Sequence, residues 1–236
     1  MKIILSPTKK MKYNHDDFGP LTTPKYLDKA KKLYEYMQGL SVEELQEQLK
    51  CNASIAKKTY QMYRIDFHHQ VSMALTSFDG LVFQYMKPDL FDEQEMAYIH
   101  KYLLILSGMY GYVRPSDGIG FYRLDLENCI EYPLYEYWKD LALDFKDEVI
   151  INLASKEYSL LFEGCRMIHI HFVSEVNGNY ITKATLAKMA RGSMVRYMAK
   201  HQITNVEELK KFQDLQYQYS EALSDDKNYY FIRKAQ

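Results

Sequence analysis

The sequence predicts a mixed α/β fold: one compact domain with a central mixed sheet and flanking helices. Three observations carry this reading. Short apolar runs of strand character, Lys2–Ser6, Tyr102–Leu106 and Val149–Ala154, are separated by stretches of helical periodicity. Asn177-Gly178 stands between Met167–Val173 and Tyr180–Ala184, the signal for a hairpin closed by a type I′ turn. No Pro/Gly/Ser-rich linker, internal repeat or low-complexity tract divides the 236 residues.

Taken in order, Lys2–Ser6 reads as a first strand ending at Pro7, and a loop runs on through Pro20. A helix from about Pro24 to Met37 begins with proline in its first turn. Ser41-Val-Glu-Glu44 matches a capping box and opens a helix to about Lys50, Cys51-Asn52 interrupts it, and Ala53–Tyr63 begins another. Two helices so tightly joined, at about 41–63, have the general shape of a helix-hairpin-helix module, with Lys57 and Lys58 placed to meet DNA phosphates. The turn lacks that module's usual glycine, so a plain packing hairpin competes with this reading. Gly80–Tyr85 is strand-like, and Asp92-Glu-Gln-Glu95 caps a helix to about His100. Pro133 starts a helix through Phe145 that holds the single tryptophan, Trp138. Val149–Ala154 reads as a central strand leading into Ser155-Lys-Glu-Tyr158, a strand-to-helix junction whose amides are offered to an anion. A helix through about His201, another from Asn205 and a closing edge strand at Tyr229–Ile232 complete the prediction.

Composition narrows the class. No window approaches ~18 consecutive apolar residues, so neither a membrane span nor a membrane partner is expected. The first residues, Met-Lys-Ile-Ile-Leu-Ser-Pro, form an apolar run too short for a signal peptide. Cys51, Cys129 and Cys165 are widely spaced and odd in number, which suits reduced thiols in the cytoplasm and offers no zinc spacing. A net charge of −1 gives no bulk nucleic-acid signature. Its distribution says more: Lys2, Lys9, Lys10 and Lys12 fall in an acid-free opening. Lys183, Lys188, Arg191, Arg196 and Lys200 fall in an acid-free window from Val176 to Val206. Such windows either converge into one polarised surface or remain separate solvated helix faces.

The stretch from Leu106 to Gly118, with Phe121–Asp125 after it, concentrates glycines at 108, 111, 118 and 120 beside Tyr110, Tyr112, Arg114, Asp117, Tyr122 and Arg123. Fixed cations and aromatic donors on a glycine-bent backbone predict a recognition or catalytic loop.

Together with Ile4-Leu-Ser-Pro-Thr-Lys9, Val149–Ser155, Glu157-Tyr158 and Lys188-Met-Ala-Arg-Gly-Ser-Met-Val-Arg196, this stretch resembles the YaaA family of bacterial peroxide-stress proteins over essentially the whole chain. The resemblance implies an unusual single-domain α/β fold with a helix-hairpin-helix element and a positive cleft that binds DNA. It also implies a role in limiting oxidative DNA damage by lowering free iron. The chain departs from the family where Asp125 stands in place of the usual Glu, and around Phe212–Tyr219.

Lys9, Arg114, Arg123, Lys188, Arg191 and Arg196 are therefore the expected phosphate contacts, assisted by Lys57 and Lys58, with Tyr110 and Tyr122 contacting bases. The alternatives are a solvated basic face with an arginine tying the loop to Asp117 or Asp125, and tyrosines packed in the core with their hydroxyls satisfied. The partner expected is duplex or distorted DNA; no cofactor and no protein partner are expected. His169 and His171 share one strand face but lack a third ligand, and His68-His69 has no partner spacing, so no metal site is expected. No P-loop, nucleophile elbow or metal triad is present. The enzyme alternative is a glycosylase or lyase acting on an extruded base, with Lys9, Asp117, Asn152, Ser155 and Arg123 as its polar groups at strand ends. A scaffold or small-metabolite binder is a third possibility.

Overall fold

Ile3, Ile4 and Leu5 are fully buried, which is what a strand covered on both faces requires of its side chains. The computed structural model describes residues 1–13, 22–65, 67 and 71–234; residues 14–20 of the expected loop through Pro20 and the His68-His69 pair lie outside the described residues. In chain order the strands are β1 (Lys2–Leu5), β2 (Val71–Met73), β3 (Leu103–Ser107), β4 (Gly111–Val113), β5 (Gly118–Gly120), β6 (Ile150–Leu153), β7 (Met167–Val176), β8 (Asn179–Ile181), β9 (Tyr217–Tyr219) and β10 (Asn228–Arg233). Eight of them form the central mixed sheet, in the order β4-β3-β1-β6-β7-β10-β9 with β8 paired to β7. Neighbours from β3 through β10 run parallel, whereas β4, β8 and β9 are antiparallel to their partners. β2 and β5 make a small antiparallel ribbon of their own.

The helices are α1 (Leu27–Gly39), α2 (Val42–Gln48), α3 (Ala53–Tyr63), α4 (Ala74–Ser77), α5 (Leu81–Met86), α6 (Glu93–Tyr102), α7 (Leu134–Tyr137), α8 (Lys156–Ser159) and α9 (Ala184–Lys200). Both capping boxes form in full, Ser41 with Glu44 at α2 and Asp92 with Glu95 at α6. Asn52 caps α3 by accepting from the Ile55 amide at 2.9 Å, which lets a new helix begin straight after α2 ends. Asn177 and Gly178, at φ 51° and 76°, make the turn between β7 and β8.

Four expectations are corrected. Gly80–Tyr85 is not a strand: Val82, Phe83 and Met86 are buried while Gln84 faces outward, a helical spacing that packs α5 against α9. The chain then stops at Lys87 in the left-handed region, directly before Pro88. The helix expected from Pro133 through Phe145 ends after one turn, because Trp138 leaves helical geometry to enter the core and give its indole N–H to the Gly108 carbonyl at 2.9 Å. Tighter 3₁₀ turns replace it over Lys139–Phe145, and likewise over Val206–Lys211 after Asn205. The strand at Tyr229–Ile232 is interior rather than an edge, since β9 pairs along its outer side.

Candidate functional site

The order of strands locates the principal crevice. The chain leaves β1 for β3 on one side and leaves β6 for β7 on the other, so the connections diverge between β1 and β6. Open α/β sheets place ligands in the crevice beyond the carboxyl ends of such strands. Here Leu5, Ser6, Leu153 and Ser155 line a cavity of about 520 Å³. The Ser6 hydroxyl donates to Ser155 Oγ at 3.1 Å and accepts from the Ser155 amide at 2.8 Å, joining the two strand ends. That bond takes up the Ser155 amide, and α8 is a single turn, so the junction does not present the free helix amides expected there.

α9 supplies the cations. Lys188 and Arg191 lie three residues apart on one helical face, and both line the cavity. The helix runs unbroken through Gly192, because α5 crosses it there: a Cβ at position 192 would stand 1.9 Å from the Val82 carbonyl oxygen. Glycine at this position allows the helices to approach closely enough for α9 to reach the crevice. Arg196, further round the same helix, is half-buried, and its Nη1 has no partner among the described residues.

Opposite charges meet these cations. Lys9 Nζ stands 2.9 Å from Asp125 Oδ2, and Tyr158 donates its hydroxyl to Asp125 Oδ1 at 3.2 Å. Lys10 pairs with Asp79 at the same cavity. Glu157 keeps one carboxyl oxygen buried without a partner among the described residues. Its burial, and secondarily the nearby Asp125 and Glu127, raise its pKa above the usual carboxylate value. Burial raises the Tyr158 pKa as well, with Asp125 adding to it. The lining is therefore of mixed sign rather than uniformly basic.

Other predicted residues lie elsewhere. Asp117 is fully buried and accepts from Thr22 Oγ1 at 2.6 Å, from the Arg114 amide at 2.8 Å and from Arg114 Nη2 at 3.0 Å. Arg114 is thereby paired with Asp117, and neither residue lines the crevice. Tyr110 and Tyr122 are core residues whose hydroxyls bond the Gly120 amide and the Ser107 hydroxyl, at 3.0 and 2.7 Å. Burial leaves neither ring face to a base, so of the two readings the core one holds for both and the base contact is corrected. At Gly111 the glycine-rich stretch bends around protein: its φ is +73°, and a Cβ there would meet Trp138 at 2.8 Å. Arg123 is half-buried with its amide and carbonyl both bonded to the Tyr63 hydroxyl. Lys57 and Lys58 are exposed on α3 and do not line the crevice. Asn152 lines a neighbouring cavity, which it shares with Arg191.

Asp125, Glu157, Tyr158 and Ser6 complete the site, although none was among the expected DNA contacts or catalytic candidates. The available signal was their position inside the sequence blocks that carried the resemblance. Those blocks lie far apart in the chain, and all of them contribute to this one cavity.

The fold and crevice define a mixed α/β protein with its candidate site at the reversal of strand order. The family described as "Peroxide stress protein YaaA" matches residues 1–223, and the chain belongs to it. The chain is similar to a UPF0246 protein of Agathobacter rectalis, 39% identical with 99% of each chain covered. It is 40% identical to the UPF0246 protein of Desulfitobacterium hafniense, over 99% of this chain and 98% of that one. It is also 40% identical to the corresponding protein of Lactiplantibacillus plantarum, over 98% and 99%.

Proposed function

We propose that this YaaA-family chain acts in the cytoplasm as a DNA-binding protein of the peroxide stress response. In this reading it grips the phosphate backbone of duplex or distorted DNA at the strand-end crevice and so helps limit iron-dependent DNA damage. The observation that carries the reading is that Lys9, Lys188 and Arg191, from widely separated segments, line one cavity. A guanidinium binds phosphate oxygens bidentately and lysines add point charges, a combination suited to a phosphodiester. Lys57 and Lys58 on the α2–α3 hairpin serve as outlying contacts in the manner of a helix-hairpin-helix element, and Arg123 and Arg196 are secondary. Asp79, Asp125 and Glu157 among the lining residues set the register by repelling misplaced phosphates. The test is binding to plain and bulged duplexes across a salt series. Phosphate contact gives a steep fall of affinity with salt, flattened by Lys9→Ala and Lys188→Ala. A salt-independent or undetectable interaction defeats the proposal.

A second reading is favoured by the Lys9–Asp125 contact: a repair enzyme of glycosylase or lyase type acting on an extruded nucleotide. Asp125 accepts a proton from the Lys9 ammonium, and the freed amine attacks the anomeric carbon. The base leaves with the bonding electron pair and takes a proton from the Glu157 carboxyl. The resulting protein–sugar adduct opens to an imine. Borohydride trapping on damaged-base duplexes, lost in Lys9→Ala, tests it.

A further inference from the structure

Arg191 also lines a second cavity, of about 490 Å³, that the nucleic-acid reading does not use. Neither Lys9 nor Lys188 is among the residues lining it. Two histidines from one face of β7 do line it, and hydrogen bonds set which His169 nitrogen carries the proton and make His171 Nε2 a donor. Asn152 Oδ1 accepts from the Ala154 amide at 2.9 Å, so it is Asn152 Nδ2 that faces His169 Nδ1, also at 2.9 Å. An amide nitrogen can only donate; Nδ1 is therefore the acceptor, and the proton of the neutral ring sits on Nε2. Asn228 is oriented in the same way, because its Nδ2 donates to Asp225 and its Oδ1 stands 3.0 Å from His171 Nε2. The His171 ring is further held by stacking on Tyr230, with centroids 4.4 Å apart.

The polar equipment of this cavity is thus dominated by donors. His169 keeps Nε2–H after its Asn152 bond is made. Arg191 Nε is buried and has no partner among the described residues, and burial lowers the guanidinium's pKa from its usual value. An acceptor-rich anion would satisfy that nitrogen and offset the cost of removing the charge from water. Lys156 adds an exposed cation, and Glu163, also exposed, is the single carboxylate among the lining residues. A cation site is disfavoured, since no group of three or more His, Cys, Asp or Glu that could hold a metal occurs among the described residues. Leu160, Met167 and Ile170 add an apolar wall, and the volume suits a small organic molecule rather than a bare ion.

We propose that this second cavity binds a phosphorylated small molecule, whose phosphate oxygens accept from His169 Nε2–H and the Arg191 guanidinium and whose apolar part lies against Leu160 and Met167. Burial, and then the neighbouring His171, lower the His169 pKa, which keeps the ring in the neutral form that the hydrogen bonds require. Inorganic phosphate and the phosphate of a nucleotide share the chemistry recognised, and separate arms of one experiment distinguish them.

The test follows the imidazole resonances of the full chain by NMR during titration with inorganic phosphate, a 5′-nucleoside monophosphate, and the parent nucleoside. His169→Gln and His171→Gln supply the assignments. The expected result is saturable shifts at His169 and His171 with both phosphates, at least tenfold tighter for the monophosphate, and none with the nucleoside. Arg191→Met should weaken binding at least tenfold, Arg191→Lys should recover part of it, and Lys9→Ala should leave it unchanged. His100, outside the cavity, serves as the internal check that each variant is folded. Absence of saturable shifts with either phosphate, or equal binding by folded Arg191→Met, overturns the proposal. Equal affinity for the two phosphates overturns its apolar half. No DNA enters the experiment, so this site and the nucleic-acid reading can fail separately.

Discussion

Lys9 Nζ and Asp125 Oδ2 stand 2.9 Å apart, tying the chain beyond β1 to the segment beyond β5 within a single crevice. The pair is asymmetric: the Lys9 side chain is 67% exposed and that of Asp125 16%. The lysine can therefore swing to a ligand while the carboxylate is held by Tyr158.

Lys9→Met should accordingly change stability by less than about 1 kcal/mol, as expected of an exposed ion pair. It should lower the slope of log affinity against log salt by about one if the lysine meets a phosphate. Urea unfolding and duplex titrations at several salt concentrations measure the two effects separately.

Arg114 and Asp117 should behave in the opposite way. Asp117→Ala leaves the Thr22 hydroxyl and Arg114 without their buried acceptor and should destabilise the fold by about 3 kcal/mol. Arg114→Ala, whose side chain is 43% exposed, should cost less, about 1–2 kcal/mol, and leave the salt slope unchanged. A reduced slope in the folded Arg114 variant would return that residue to the binding surface.

Gly192→Ala should be among the most damaging small substitutions. The added methyl meets the Val82 carbonyl at 1.9 Å, and separating α5 from α9 costs roughly 1–3 kcal/mol or more. Because the same displacement withdraws Lys188 and Arg191 from the crevice, binding should weaken together with stability. Urea midpoints and duplex affinities of one preparation check both.

Glu157 sets a pH dependence. Its folded-state pKa lies above the ordinary 4.5, so the folded chain holds a proton that the unfolded chain has released. Its contribution is fully present below pH 4.5 and is lost as pH rises through the folded-state value. Glu157→Gln should therefore stabilise the protein at pH 7 and match it below pH 4.5, as read from melting temperatures across that range.

Much of the sheet was legible in the sequence because its interior strands are continuous apolar runs, as at Lys2–Leu5 and Ile150–Leu153. Capping boxes and the Asn177-Gly178 turn were legible for a related reason: their chemistry is local. Leu81–Met86 misled because six apolar-rich residues satisfy either period, and only the packing of α9 over α5 decides between them. In the glycine-rich stretch Gly111 packs on Trp138, Arg114 pairs with Asp117, and Tyr110 and Tyr122 are buried, and sequence cannot tell a loop that wraps a ligand from one that wraps its own core. For the crevice, Lys9, Ser155, Lys188 and Arg191 were legible. Asp125 and Glu157 were not, because their importance arises from neighbours more than thirty positions away or from burial.

Arg191 forms a common wall of two chambers. If each chamber takes the ligand proposed for it, a guanidinium drawn toward one occupant is withdrawn from the other, and the two bindings are coupled. Thermodynamic reciprocity then requires that whatever a small-molecule occupant does to affinity in the first chamber, an occupant of the first does in equal measure to the second. On those two proposals, this single side chain would let the grip on one ligand depend on the abundance of the other.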